Sequence, residues 1–506
     1  MGSSGDQCGQ EEGYEEVKLQ HSSVGQESGV QKKKSKKAKG SSLVSPECIA
    51  EKRRQREEKR NKRQEAVANG QDQEGLPILL QFRKRELALI PDVTSDSFRA
   101  KVKVMSYNIL AQCLIRRELF PTNGSALKWA TRSKVLLNEI KYYEPDILCL
   151  QEVDAHQYDT FWKDALYKVG LETKYLKSEA KNHGLVIAFS GNFFFATNQW
   201  TISFDREADD EVERVADTQN VGFFLSLKFS ANFRQKYPSL SKEGVIIGTS
   251  HLFWHPFGTY ERTRQTYIVL RKYKEFVHCL NALNPQSTGW YSLFAGDFNS
   301  QPYHPPYLSL VSKPVTYNLQ NRYILGAAIE YFERLSRYRN SNQQVLREDE
   351  EENEMTKSPE NQEEHLETTP STFDISPKQE QMIKKLEVSH NSIGFRMISL
   401  YSLGYKTVHP ENAGLDNERN EPVFSNWAHS WRGLLDYIFI ISDWDKVSDQ
   451  SKIDTLEEVT SNQGIKLLRL LKLPLPSEMG EEPSGQPRIG QFPSDHLSLM
   501  AELELC

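Results

Sequence analysis

Cysteine is scarce and unpatterned in this chain. Its 506 residues hold six, Cys8, Cys48, Cys113, Cys149, Cys279 and Cys506, and no two of them form a CxxC pair. That spacing argues against a zinc site and against a disulfide framework, and it suits a reducing compartment. Long apolar runs are missing too. None approaches the ~20 residues needed to cross a bilayer, so a soluble chain with no membrane partner is expected. The opening residues show no apolar leader segment, and their "GQEEGYEEV" is too acidic for a secretory or mitochondrial signal. "MGSSGD" has Asp6 where a myristoylation motif wants Ser or Thr. No internal repeat is visible. Nor does one sign of charge prevail: 63 basic against 69 acidic residues leave a formal charge of −6, a balance that says little about partners.

The charges are spread unevenly, and the unevenness marks the organisation. Residues 1–75 are rich in Gly, Ser, Gln, Lys and Arg, with too few aliphatic clusters to offset the entropy of ordering, so they read as a disordered basic tail. Within it, "KKKSKKAK" at 32–39 and "KRRQREEKRNKR" at 52–63 read as nuclear targeting or phosphate-backbone contacts, the plainer alternative being a solvated tail. Residues 76–99 read as a linker. From Ala100 onward, apolar runs alternate with amphipathic stretches. "WATRSKVLLNEIKYY" puts Val135, Leu136, Leu137 and Ile140 on one helical face. "GLVIAF", "GFFLSLKF" and "GVIIGTSHL" are unbroken runs of the kind found in sheets covered on both faces, which makes 100–506 one α/β layered domain. At about 338–385 the pattern dissolves into "REDEEENEMTKSPENQEEH" and its neighbours, read as a flexible acidic insertion.

Several apolar runs end abruptly in polar side chains. "YSLFAGDFNSQP" passes from a buried strand straight into Asp297 and Asn299. The same happens at Asn108 in "SYN", Glu152 in "LQE", His251 in "TSH", Asp436 in "LLD", and Asp495 and His496 in "SDH". Each has an ordinary explanation taken alone: a turn at Asn108, a helix cap at Glu152, an Asx-turn at Asp297 and Asn299. Together they suggest one site, because ligands in α/β sheets bind beyond strand ends. So many acids in one place repel unless something compensates them. A hard divalent cation does so, and oxygen donors without thiolates favour magnesium, with manganese the alternative. That inventory points to phosphate ester hydrolysis, with a metal to polarise the phosphate and groups to direct a water. Glu152 is the first choice as metal ligand. Asp297 would activate or position the water, Asn299 and Asn108 would donate to phosphate oxygens or complete the metal shell, and His496 and His251 would supply charge or a proton.

The blocks "VMSYNILAQ", "DILCLQEV", "GTSHLFWHP", "FAGDFNSQP", "GLLDYIF" and "FPSDHLSLMAEL" resemble, in that order, those of the endonuclease/exonuclease/phosphatase superfamily. They are most similar to its deadenylase branch, which includes nocturnin, the Angel proteins and the yeast Ngl RNA exonucleases. The resemblance covers about residues 100–506 outside the acidic insertion. It implies a DNase I-like fold, an α/β four-layer sandwich of two stacked mixed β-sheets flanked by helices. It further implies that Glu152, aided by Asn108, holds magnesium; that Asp297 and Asn299 serve nucleophile and phosphate; and that Asp436 orients His496, with Asp495 beside the metal. His251 falls at the family's second histidine. Asn426, Trp431 and Pro256 fall where the branch engages the terminal base, with Trp431 replacing the usual Phe. One departure stands out: His183-Gly184-Leu185 replaces Asp-Gly-Cys and leaves His183 without a role.

The resemblance implies a magnesium-dependent 3′-to-5′ exoribonuclease that releases nucleoside 5′-monophosphates from poly(A) tails or rRNA-precursor 3′ ends. One alternative is a phosphatase acting on a small nucleotide or on an RNA cyclic-phosphate end. The other is a non-catalytic RNA-binding or ribosome-assembly factor. The expected partner is an RNA 3′ end, together with ribosome-precursor or RNA-processing proteins reached through the tail or the insertion. The lysine runs place the chain in the nucleus or nucleolus, with the cytoplasm as the alternative.

Overall fold

The unbroken apolar runs form strands, and in the computed structural model these assemble into two sheets. The structure describes residues 77–116, 120–121, 123–207, 212–342, 367–479 and 485–506. The expected basic tail, with both lysine-rich runs, and the centre of the acidic stretch lie outside the described residues. Strands are numbered in chain order. The first sheet has the order β1 (Leu87–Leu89), β14 (Ile465–Leu471), β15 (Leu499–Leu505), β2 (Ala100–Asn108), β3 (Ile147–Asp154), β5 (His183–Ser190), β4 (Leu171–Lys177). The second has the order β10 (Phe395–Ser399), β13 (Asp436–Asp443), β9 (Trp290–Asp297), β8 (Gly244–His251), β7 (Val221–Phe229), β6 (Phe194–Ser203). Both sheets are mixed: β2 and β3 run parallel, as do β8 and β9, among antiparallel neighbours. A short hairpin of β11 (Asn426–Ala428) and β12 (Trp431–Gly433) stands apart.

The sheets stack face to face with helices outside each. Val102, Val104, Ile147 and Cys149 of the first sheet share one buried cluster with Leu225, Ile247, Leu293 and Ile438 of the second. Helices Thr259–Leu283, Pro305–Val311 and Pro377–Ser392 contribute to a second cluster against the outer face of the second sheet. Leu136 and Ile140 of helix Trp129–Tyr143 cover the outer face of the first, and Val135 beside them is also buried. This is the four-layer DNase I-like arrangement. All eight residues of β3 are buried, which is why "ILCLQEV" shows no alternation: both faces are covered.

Two expected boundaries change. Residues 76–99, read as a linker, contain β1, which pairs antiparallel with β14, and Ile90, which is fully buried. Buried Arg85 there donates to Ser498 Oγ at 2.6 Å and pairs with Glu139 at 3.3 Å. A three-residue strand is too short to show a period. The region read as a flexible insertion at 338–385 is also narrower. Helix Leu319–Asn342 runs through its start, and helix Pro377–Ser392 covers its end, burying Met382, Ile383 and Leu386. Ser376 and Gln379 close a capping box around Pro377 at the first helical turn, a start signal that the surrounding charge obscured.

Candidate active site

Side-chain parity along the strands decides where the polar ends point. In β9, Tyr291, Leu293 and Ala295 face the inter-sheet layer, so Asp297 does too. Val102 and Val104 set the same face for Asn108 in β2, Val245 and Ile247 for His251 in β8, and Ile438 and Ile440 for Asp436 in β13. Glu152 breaks the pattern. Ile147 and Cys149 point inward from β3, whereas Leu148, Leu150 and Val153 point to the helix side, so two residues, not one, separate Leu150 from Val153. The register against β5 shifts there, and Glu152 takes φ +57°. A bulge of this kind re-aims a side chain, and it turns the Glu152 carboxylate into the inter-sheet layer.

Glu152, His251 and Asp297, with Asp495 and His496, line the floor of a cleft of about 480 Å³, and Asn108 and Asp436 are buried directly behind them. Fully buried Asn108 donates through Nδ2 to Glu152 Oε1 at 2.8 Å and to Asp297 Oδ2 at 2.9 Å. Its Oδ1 accepts from the Leu110 N–H at 3.0 Å, so Asn108 bridges the two acids. His251 Nε2 lies 3.5 Å and His496 Nε2 3.6 Å from Asp297 Oδ2. On its other side His496 Nδ1 meets Asp436 Oδ2 at 2.8 Å. Ser425 Oγ donates to the same oxygen at 2.6 Å, while the N–H groups of Leu435 and Asp436 donate to Ser425 Oγ. The Asn299 N–H donates to Asp297 Oδ1 at 2.9 Å, and Asn299 Nδ2 to the Leu252 carbonyl at 3.0 Å. The Asx-turn expected as the plain reading is therefore part of the site. Nine non-glycine residues have positive φ among the described residues, and five of them, Leu110, Glu152, Gln219, Asn299 and His429, line the cleft. Such backbone persists where the surroundings over-determine it, as at functional sites.

Burial and neighbouring charges pull the titrating groups apart. Burial works to raise the Glu152 carboxyl, yet His251, His183, His496 and the Asn108 hydrogen bond outweigh it, so Glu152 lies below the usual carboxylate range. Burial raises Asp297, Asp436 and Asp495. It opposes a charge on His496, but Asp436 and Asp297 hold that imidazole protonated well above the usual range. His251 is lowered by burial to about 4 despite Glu152. The two imidazoles of the floor are thus pushed in opposite directions, which is how a site prepares groups for different tasks.

The expected base-binding positions separate. Trp431 stands on the cleft wall, 46% exposed. Asn426 is buried outside the lining, its Nδ2 3.4 Å from Asp495 Oδ2. Pro256 is exposed and also outside the lining. His255 packs inward against Phe332 and Tyr331, so the loop presents Trp254 to the cleft instead. Other supporting residues escaped sequence reading. Arg132 Nε donates to the Pro493 carbonyl at 2.7 Å and Nη2 to the Leu110 carbonyl at 2.6 Å, tying the loop of Asp495 to the end of β2. Ser494 Oγ donates to the Asn108 carbonyl at 2.8 Å. Buried Arg and Ser carry no periodic signal. His183 lines the cleft beside Glu152.

The chain matches the endonuclease/exonuclease/phosphatase family over residues 105–496. It belongs to that family. It is 44% identical to the RNA exonuclease NGL2 of Saccharomyces cerevisiae over 94% of this chain and 92% of that protein. It is 34% identical to the probable RNA exonuclease C9B6.11c of Schizosaccharomyces pombe over 94% of this chain and 91% of that one. A crystal structure of ANGEL2, described as a 2′,3′-cyclic phosphatase, superposes with TM-score 0.51 at 19% identity, covering 84% of this chain and 99% of that one. At that identity the likeness is one of fold. The chain is an enzyme, a hydrolase of phosphodiester bonds.

Members of the family depend on a divalent metal. The residues present fit such an ion at one grouping: Glu152, His251 and Asp297 offer ligand atoms all within 4.8 Å of one another, whereas in the neighbouring grouping of Asp297, Asp436 and His496 the imidazole is engaged by Asp436 and kept protonated, so it offers no lone pair. No cysteine lines the cleft among the described residues, and oxygen-rich sites without thiolates suit hard cations. The described cysteines, Cys113, Cys149, Cys279 and Cys506, are free thiols, and no described helix is long and apolar enough to cross a membrane.

Proposed function

We propose that the chain is a magnesium-dependent 3′-to-5′ exoribonuclease that releases nucleoside 5′-monophosphates from poly(A) tails or rRNA-precursor 3′ ends. One observation carries the reading: Asn108, Glu152, His251, Asp297, Asp436 and His496, from six segments, meet in one hydrogen-bonded cluster at a cleft that Trp431 also lines. The relatives' names as RNA exonucleases support RNA as the substrate.

Glu152, with Asp297 and His251 beside it, would hold magnesium, which when bound neutralises phosphate charge and makes water more acidic. Asn108 keeps the two carboxylates aligned. Asp297, fixed by Asn108 and by its own turn, positions the attacking water and takes its proton. The protonated His496, oriented by Asp436, donates to a phosphate oxygen as charge develops there. Asn299 sets the turn that presents Asp297. Trp431 stacks on the terminal base, an interaction worth roughly 1–3 kcal/mol and tolerant of base identity. Asp495 acts at the edge of the floor.

Purified protein incubated with magnesium and RNAs labelled at the 3′ end tests this directly. Nucleoside 5′-monophosphates released stepwise from the 3′ end, and no release in excess EDTA, are expected. Phosphate released from cyclic-phosphate ends with intact strands would replace this reading by the phosphatase one. Comparing poly(A) with rRNA 3′ ends ranks the substrates. Nuclear or nucleolar residence is part of the proposal and rests on the runs at 32–39 and 52–63.

A further inference from the structure

The two walls of the cleft offer different chemistry. Trp254 and Trp431 make one side aromatic. On the other side the lining is basic: Lys181, from the turn after β4, and Arg116, from the loop beyond β2, carry the charge, and His183 at the start of β5 stands beside Lys181 as an imidazole that burial lowers to about 4. The lining carboxylates, Glu152, Asp297 and Asp495, belong to the floor. Asp154, paired opposite His183 in the sheet, turns its carboxylate elsewhere and accepts from the N–H groups of Gln112 at 2.6 Å and Cys113 at 3.2 Å.

The cationic wall is held in place from several sides. Lys177 folds its ammonium against the turn and donates to the carbonyls of Ser178 at 2.9 Å and Lys181 at 3.0 Å. The Asn182 carbonyl accepts from the Ala155 N–H at 2.8 Å, tying the turn to the end of β3 two residues beyond the Glu152 bulge. Ser178 Oγ donates to Gln219 Oε1 at 3.3 Å and Lys181 Nζ to Asn220 Oδ1 at 2.6 Å, and both acceptor residues also line the cleft. The Lys181 charge is felt at the floor: burial lowers His183 and His251 to about 4, Glu152 opposes that, and Lys181 adds to the lowering. A long, flexible lysine fixed this way gives up rotamer entropy before any ligand arrives, which reduces the ordering cost of binding.

Cleavage at a strand end places a single phosphate over the floor. A second fixed cationic wall therefore calls for a second phosphate. On a strand ending in a 3′ hydroxyl, the nearest is the phosphodiester one nucleotide upstream; on a strand ending in a phosphate, that terminal group competes for the role. We propose that Lys181 and His183 form a second phosphate subsite, which binds the phosphodiester immediately upstream of the scissile one. This rests on the exoribonuclease reading. It gives His183 the role of an N–H donor to a non-bridging oxygen and Lys181 that of a charge partner, so that strands are gripped by two phosphates at once.

The full chain should be assayed with magnesium on three substrates: the dinucleotide ApA, with only the scissile phosphate; pApA, which adds the upstream phosphate; and ApAp, which adds the terminal one. Wild type is expected to prefer pApA over ApA by about tenfold in kcat/KM, the effect of one charge-assisted contact. Lys181→Met brings that ratio to within about twofold of one, and Lys181→Arg keeps most of it. A merely structural role would slow both substrates alike and leave the ratio standing. Lys174→Met, at an exposed lysine of β4 outside the lining, controls for net charge and keeps the wild-type ratio. On oligo(A), the slope of log kcat/KM against log salt becomes shallower by about 0.7 in Lys181→Met, the loss of one single-strand phosphate contact. A wild-type gain on ApAp but not pApA assigns the wall to a terminal phosphate and overturns the proposal. So does a Lys181→Met protein that keeps the wild-type ratio. Wild type inert on all three substrates and on oligo(A) defeats the exoribonuclease reading itself.

Discussion

The layer between the two sheets has an apolar middle and a polar end, built by the same strands on the same face. Leu293 and Asp297, or Ile438 and Asp436, differ only in distance along one strand. In the middle, each side chain is excluded from water by the opposite sheet and contributes stability through burial, about 1.5–3 kcal/mol for a large aliphatic. At the end, the carboxylates are almost as well shielded, with Asp297 and Asp436 each 1% exposed, while His251 is partly open to the cleft, and nothing apolar repays their desolvation. They are held by one another. The middle of the layer is organised for stability, the end for chemistry, and substitutions should separate the two.

The largest separation is expected at the polar end. Glu152→Ala or His496→Ala should lower kcat on RNA by about a thousandfold while circular dichroism still shows the folded chain. Wild-type rates in either purified variant would remove that residue from the mechanism. The converse holds in the middle. Leu293→Ala or Ile438→Ala should cost about 2–5 kcal/mol in denaturant unfolding, with kcat per folded molecule unchanged within a factor of about two.

A buried acid away from the floor sharpens the contrast. Glu421 is fully buried, with Tyr307 donating to its Oε1 at 2.7 Å, and burial raises it to about 7 against the opposing hydrogen bonds of Ser399 and Tyr307 and the charge of Arg419. Its folded value lies above the unfolded one, so its stabilising contribution is complete below about pH 4.5 and is lost as pH rises through about 7. Glu421→Gln should flatten that dependence, by up to about 3 kcal/mol between those limits. Parallel unfolding curves for both proteins across the window would refute the burial argument. The smallest effect belongs to the rim. Trp431→Ala should raise KM for oligonucleotides by roughly tenfold, within the 1–3 kcal/mol of base stacking, with Trp431→Phe close to wild type. The indole lies against Gly433, where an added Cβ would come within 2.8 Å of the ring, so Gly433→Ala should displace it and mimic Trp431→Ala in part.

Legibility in the sequence followed distance along the chain. The runs ending in Asn108, Asp297 and Asp436 were readable because each strand and its polar end are contiguous, and parity alone carries those ends into the inter-sheet layer. Glu152 was readable as a candidate but not as an inward-facing one, since a strict period of two does not hold across its bulge. β1 was too short to register, and the helix of Met382 and Ile383 was masked by flanking charge. Arg132, Ser425 and Ser494 act through carbonyls and carboxylates far away in sequence, so no local pattern announces them. The hairpin carrying Trp431 and the loop presenting Trp254 rather than Pro256 depended on packing against Gly433 and Tyr331.

By itself the sequence determined the layered fold, the family and the residue types from which a phosphoester-cleaving site is made, because run length, period and side-chain chemistry are local properties. Tertiary structure alone decided that six polar ends meet in one cluster beneath the cleft, that burial and neighbouring charge push two adjacent imidazoles in opposite directions, and that the cleft has a basic and an aromatic wall. Those outcomes depend on distances of a few ångströms between segments separated by hundreds of residues, where burial and charge act through space and not along the chain.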